Sequence, residues 1–208
     1  HLEHRRQRQM CIRDRMSILS RAKSKSSEYG YAKDFIDHVG PLLKTIKQNK
    51  IKVISNAGGV NVDACKKALI REALKESLNL NIVTVEGDDL SSIHKDLQKM
   101  EIEEIDSGKP LPKNLLSINA YLGAPGIKRA LDQGADIVIT GRCVDSALAL
   151  GPMMHEFSWK ESEYDLLASG SLAGHLIECG AQCTGGNFTD WELIDNFEDI
   201  GFPIIEVE

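Results

Sequence analysis

No apolar run in this chain approaches the roughly 20 residues that a membrane span needs, and no secretory signal is visible. A surplus of basic residues is also missing. The formal charge is −6, which argues against a general nucleic-acid binder, because such proteins carry basic patches. Cysteines are few and irregularly spaced: apart from Cys11 they are Cys65, Cys143, Cys179 and Cys183. A disulfide framework is not expected in a chain of this size, so reduced thiols and a cytoplasmic location are expected. There is no internal repeat, no low-complexity segment, and neither a Walker loop nor a dinucleotide fingerprint.

What remains is an ordinary globular composition, with 42% hydrophobic and 27% charged residues over 208 positions. That length suffices for one sizeable core. The first fifteen residues, HLEHRRQRQMCIRDR, have no helical or strand period and resemble translated adapter DNA, so they are set apart from the fold. They hold five of the 25 Lys/Arg and two of the 31 Asp/Glu, so the remainder carries −9. Residues 16–208 read as a single α/β domain, cut at both ends.

Four apolar runs predict strands: Ile51–Ser55, Asn81–Glu86, Leu115–Ala120 and Asp136–Thr140. Helical patterns separate or follow them: Tyr31–Gln48, with Pro41 as a break or bend, then Asp63–Leu78, Leu90–Ile105, Pro125–Gln133 and Val144–Met154. A further helix over Ser162–Gln182 is expected to be interrupted, because Gly170, Gly174 and Gly180 weaken it. Ser107–Asn114 is a loop, Thr184–Asn187 a tight turn, and Pro203–Glu208 starts like a strand. The alternation predicts an α/β fold: a mostly parallel sheet with helices on both faces, Rossmann-like and three-layered. A fragment of a (β/α) barrel is the alternative. Right-handed crossovers would gather every strand's carboxyl end on one edge.

Polar residues recur at those ends. Asn56-Ala57-Gly58-Gly59-Val60-Asn61 is a strand-to-helix turn that could hold a phosphate, carboxylate or carbonyl oxygen through backbone N–H groups. Equally, its glycines could simply permit positive φ. Glu86-Gly87-Asp88-Asp89 offers a general base or a hard-cation site, although one aspartate is expected to cap the next helix. Arg142 can clamp a carboxylate or phosphate, and Asp145 and Ser146 follow it; Asp145 could instead be a helix-dipole charge. Cys143 is not taken as a nucleophile. His155-Glu156 could be an acid/base couple but reads as structural. His175, Glu178, Cys179, Gln182 and Cys183 share one helix face. Zinc binding, nucleophilic attack by Cys179 with His175 as base, or a plain packing contact are all compatible with that face. No metal is assigned, because a single-helix cluster lacks ligands from elsewhere, and no cofactor is identified.

With Ser55–Asn61 (SNAGGVN), Val85–Asp89 (VEGDD), Asn119–Gly123 (NAYLG), Gly134–Trp159 and Ala173–Trp191 laid out, the chain resembles the acyclic terpene utilisation, AtuA-type, family. The likeness runs from about residue 28 to the end. It implies a role in degrading acyclic terpenoids through coenzyme A thioesters, alongside biotin-dependent acyl-CoA carboxylases, with the reaction undefined. An enzyme is the first expectation, and a non-catalytic metabolite-binding or carboxylase-associated subunit the alternative. Together, motifs and resemblance nominate Glu86, Asp145, His175, Glu178 and Cys179 for chemistry. For substrate binding they nominate Asn56, Gly58, Gly59, Asn61, Asp88, Asn119, Tyr121, Arg142, Ser146, Gln182, Gly185 and Gly186. The expected partners are a small-molecule substrate such as a coenzyme A thioester, an acyl-CoA carboxylase, and a second copy of the chain. Nucleic acid and membrane are not expected.

Overall fold

A computed structural model describes the backbone of residues 12–207 and the side chains of 16–207. Residues 1–11 of the segment set apart above lie outside the described residues; its last residues begin helix α1, Ile12–Lys25. Next come α2 (Lys33–Val39), a 3₁₀ turn at Gly40–Leu42 and α3 (Leu43–Gln48). Pro41 sits in that turn and separates the two helices, as its missing N–H requires.

The sheet consists of β1 (Val53–Ser55), β2 (Ile82–Val85) and β3 (Ile137–Thr140), in spatial order β1-β3-β2 and parallel throughout. Consecutive strands β1 and β2 are not neighbours, whereas a (β/α) barrel pairs its strands in chain order. The open, parallel three-layer arrangement is therefore the correct one of the two expectations. Helix α4 (Val62–Lys75) follows β1, and α5 (His94–Lys99) follows β2 after a 3₁₀ turn at Ser91–Ile93. Helix α6 (Pro125–Asp132) leads into β3, after which come α7 (Ala147–Glu156) and α8 (Tyr164–Cys179).

The central strand β3 is buried on both faces. Ile137 and Ile139 pack with Phe35, Leu43, Cys65 and Leu69 from α2, α3 and α4. Val138 points the other way, toward Ile127, Leu131, Ala147 and Met154 from α6 and α7. A period of two thus serves two cores. Leu43, Leu69 and Ile127 are fully buried, each worth about 1.5–3 kcal/mol of hydrophobic stabilisation. At the amino end of β3, Asp136 accepts hydrogen bonds from Lys47 Nζ and the Asn81 N–H, both at 2.9 Å. Burial pushes its carboxyl up, but the Asn81 N–H, Lys47 and Lys52 outweigh this and hold it below the ordinary carboxylate value.

Four expectations need correction. Leu115–Ala120 is not a strand. Its backbone bonds instead to the turn after β2, through the Leu90 N–H to the Ile118 carbonyl, the Ala120 N–H to the Asp88 carbonyl and a single bridge between Asn119 and Asp89. The helix expected over Leu90–Ile105 is confined to the 3₁₀ turn and α5; Glu101 takes a left-handed φ of 52°, which stops it. Conversely, α8 is not interrupted at Gly170 or Gly174. A Cβ on Gly170 would lie 2.7 Å from Leu150 and 2.8 Å from Trp159, and one on Gly174 would lie 2.7 Å from the Ser146 carbonyl oxygen. These glycines let the helix approach its neighbour closely. The helix ends only at Gly180, which has a φ of 54°. Pro203–Val207 forms no strand in the described residues.

Candidate functional site

All three strands point the same way, so their carboxyl ends share one edge. Asp88 organises that edge. It is 4% exposed, and its Oδ2 accepts the Arg142 backbone N–H at 2.7 Å and Asn119 Nδ2 at 2.9 Å. Its carbonyl also accepts from the Ala120 N–H. Gly141 makes room for the carboxylate, because a Cβ there would lie 2.4 Å from Asp88 Oδ1. The 119–122 stretch is thereby stitched to the chain beyond β2 and β3: Asn119 bridges Asp89, and Leu122 bridges Cys143. Arg142 is buried, and its Nη2 donates to the Tyr121 hydroxyl at 2.6 Å, with the guanidinium carbon 4.4 Å from the Tyr121 ring centre. Asp88, Asn119, Tyr121 and Arg142 are thus one bonded unit.

The glycine turn after β1 is closed by its own hydrogen bonds. The N–H groups of residues 57–61 donate respectively to Ser55 Oγ and to the carbonyls of Thr140, Asn56, Gly30 and Gly58. Gly58 and Gly59 therefore present no spare N–H for an anion. Gly59 takes a φ of 56° and lies against Leu19 and the Gly30 carbonyl. Asn61 caps α4 through Ala64 N and donates to the carbonyls of Ser27 and Tyr29. Asn56 opens the turn, half-buried.

Beside this edge lies a cavity of about 300 Å³, lined by Ser20, Lys23 and Ser24 of α1, Val60, Asp89, Ser91, Leu116, Ser117 and Asn119. Lys23 Nζ donates to the Val60 carbonyl at 2.6 Å and stands 3.7 Å from Asp89. Burial raises the Asp89 carboxyl, but hydrogen bonds from Ser91 and the Lys23 charge more than offset this and hold it low. The Ser20 hydroxyl is buried, at 5% residue exposure, and has no hydrogen-bond partner. Such a group costs free energy unless something satisfies it. The sequence pattern missed Ser20, Lys23, Ser24, Ser91 and Ser117. The signal was a polar stripe at i, i+3 and i+4 on α1.

The remaining nominated residues are not members of the bonded Asp88 unit. Glu86 is exposed just past β2. Asp145 Oδ1 is buried without a partner, and Ser146 meets α8 at Gly174. On α8, Cys179 Sγ lies 3.3 Å from Glu178 Oε2 and 3.7 Å from His175 Nε2. Desolvation and the neighbouring Glu178 push the Cys179 thiol up to about 12. It is therefore protonated near neutral pH, which disfavours a nucleophilic role without a cation to displace the proton. Burial likewise raises Cys143. Gln182 accepts from Asn187, Gly186 N–H donates to Ala181, and Gly185 takes a φ of 117° in the expected turn. The four described cysteines are unbridged. No helix among the described residues is long and apolar enough to cross a membrane.

These features define an α/β protein with a polar hollow at the carboxyl edge of a parallel sheet, where such folds commonly bind ligands. The family model described as acyclic terpene utilisation family protein AtuA matches residues 14–208, and the chain belongs to that family. No curated protein and no solved structure matches the chain.

Proposed function

We propose that the chain carries the substrate-binding part of an enzyme of terpenoid or branched-chain acyl-CoA catabolism. The cavity with the buried, unpartnered Ser20 hydroxyl is the observation that carries this reading. A ligand oxygen could accept from that hydroxyl, and Lys23 supplies positive charge nearby. At about 300 Å³, the space fits an acyl or thioester end and not a whole coenzyme A. The Asp88 unit holds the wall rigid, with Asn119 shared between wall and cavity.

The test is a full-length relative carrying alanine at the positions of Ser20, Lys23 and Asn119. Growth on citronellol and mass-spectrometric turnover of candidate acyl-CoA thioesters should both fall. Unchanged growth and turnover would remove this cavity from the reaction.

A second reading, a non-catalytic metabolite-binding or carboxylase-associated subunit, is favoured by the way the strand-end groups bond to one another, with Asp88 accepting from the Arg142 N–H and from Asn119. Thioester binding without turnover, together with capture of the pathway's carboxylase, would select it.

A further inference from the structure

The end of α8 holds a cluster that the cavity reading does not use. His175, Glu178 and Cys179 place ligand atoms within 4.8 Å of one another. Two of the spacings are informative: 3.7 Å from Sγ to His175 Nε2 and 3.3 Å from Sγ to Glu178 Oε2. Bonds of about 2.0–2.3 Å at tetrahedral angles separate the ligands of a zinc ion by roughly 3.6 Å. The side chains therefore already stand at nearly the edge lengths of such a shell.

Spacing along one helix left the fourth ligand missing. The end of the helix brings up a candidate for it. Gly180 breaks the α-helix with a φ of 54°, and the 3₁₀ turn Gly180–Gln182 follows, closed by a hydrogen bond from the Cys183 N–H to the Gly180 carbonyl. That turn keeps Cys183 near enough to Cys179 to push its thiol up, although Cys183 lies outside the trio whose ligand atoms stand within 4.8 Å of one another. Residues 175, 178, 179 and 183 thus offer one imidazole, one carboxylate and two sulfurs. His175 and Cys183 are exposed, which leaves a path from solvent.

We propose that His175, Glu178, Cys179 and Cys183 bind a divalent cation of the zinc class. Both thiols give up their protons to solvent on binding, and the imidazole enters neutral. Two thiolates, one carboxylate and the dication leave the site with a net charge of −1. Thiolate and imidazole ligands select zinc over magnesium or calcium, which prefer oxygen. The site stands independently of the cavity, so failure of either reading leaves the other untouched.

Cobalt(II) titration of the reduced, metal-stripped chain tests the proposal. One cobalt should bind per chain with a thiolate-to-metal charge-transfer band and the intense visible bands of tetrahedral geometry, and zinc should displace it. Cys179→Ser, Cys183→Ser and His175→Ala should each weaken binding about tenfold or more, with circular dichroism confirming that each variant folds. Cys11→Ser should change nothing. Absence of the charge-transfer band, or its persistence in Cys179→Ser and Cys183→Ser, would overturn the assignment.

Discussion

Replacing Gly141 by alanine probes the strand-end unit through one contact. The new Cβ would stand 2.4 Å from Asp88 Oδ1, far inside van der Waals contact. Gly141 does not have a left-handed φ, so backbone strain is not the issue and the whole penalty comes from the carboxylate. Overpacking of this kind costs about 1–3 kcal/mol. Asp88→Ala removes the acceptor of the Arg142 N–H and of Asn119 Nδ2. Hydrogen bonds to a buried charged group contribute about 1.5–3 kcal/mol each, so a loss of ~3 kcal/mol is expected once desolvation of the carboxylate is relieved. In the double variant the methyl group finds space, and stability should match that of Asp88→Ala alone. Urea unfolding of wild type and the three variants gives the coupling energy, expected at about 1–3 kcal/mol. Additive penalties, with coupling below about 0.5 kcal/mol, would refute the claim that Gly141 is small because Asp88 sits against it.

Ser20→Ala should leave stability unchanged or raise it by up to about 1 kcal/mol, because it removes a buried unpartnered hydroxyl. The same substitution should weaken ligand binding in the cavity, and calorimetry with thermal unfolding reads both. Gly174→Ala should destabilise by about 1–3 kcal/mol despite the helix-propensity gain of about 1 kcal/mol, since the new methyl meets a backbone oxygen; Gly201→Ala, where nothing lies within 4 Å, is the control in urea unfolding. Asp136 has a folded pKa below its unfolded one, so its contribution is complete above the ordinary carboxylate value and is lost as pH falls through the lowered value. Asp136→Ala should therefore cost about 1–3 kcal/mol at neutral pH, and the difference from wild type should shrink in unfolding curves taken below about pH 4.

The three real strands were legible because their apolar runs were short, dense and followed by polar turns. Leu115–Ala120 reads as apolar in the same way, but its backbone pairs with the turn after β2, at Asp88 and Leu90, and not with a strand. Local pattern carries no information about which distant backbone a segment meets. The α8 glycines mislead similarly: propensity counts their cost in an isolated helix, while Gly170 and Gly174 allow contacts that only the packed neighbour defines. Within the site, the GDD motif was visible, and the division of labour inside it was not. Asp89 makes a local turn by accepting the Ser91 N–H, whereas Asp88 reaches Asn119 and Arg142 across long stretches of chain. The Asn56–Asn61 turn was recognisable as a turn, but the partners that fill its N–H groups come from Thr140 and Gly30. Ser20 and Lys23 gained meaning only when α1 was placed beside the 116–119 segment.

The proposed function requires that the hollow between α1 and the strand ends receive the thioester end of an acyl-CoA. Amide chemical-shift mapping of the chain titrated with citronellyl-CoA measures this directly. The account predicts saturable shifts concentrated at Ser20, Lys23, Asp89, Ser117 and Asn119, and their loss in Ser20→Ala with Lys23→Ala. Shifts that cluster away from these residues, or that survive the double substitution, would contradict it.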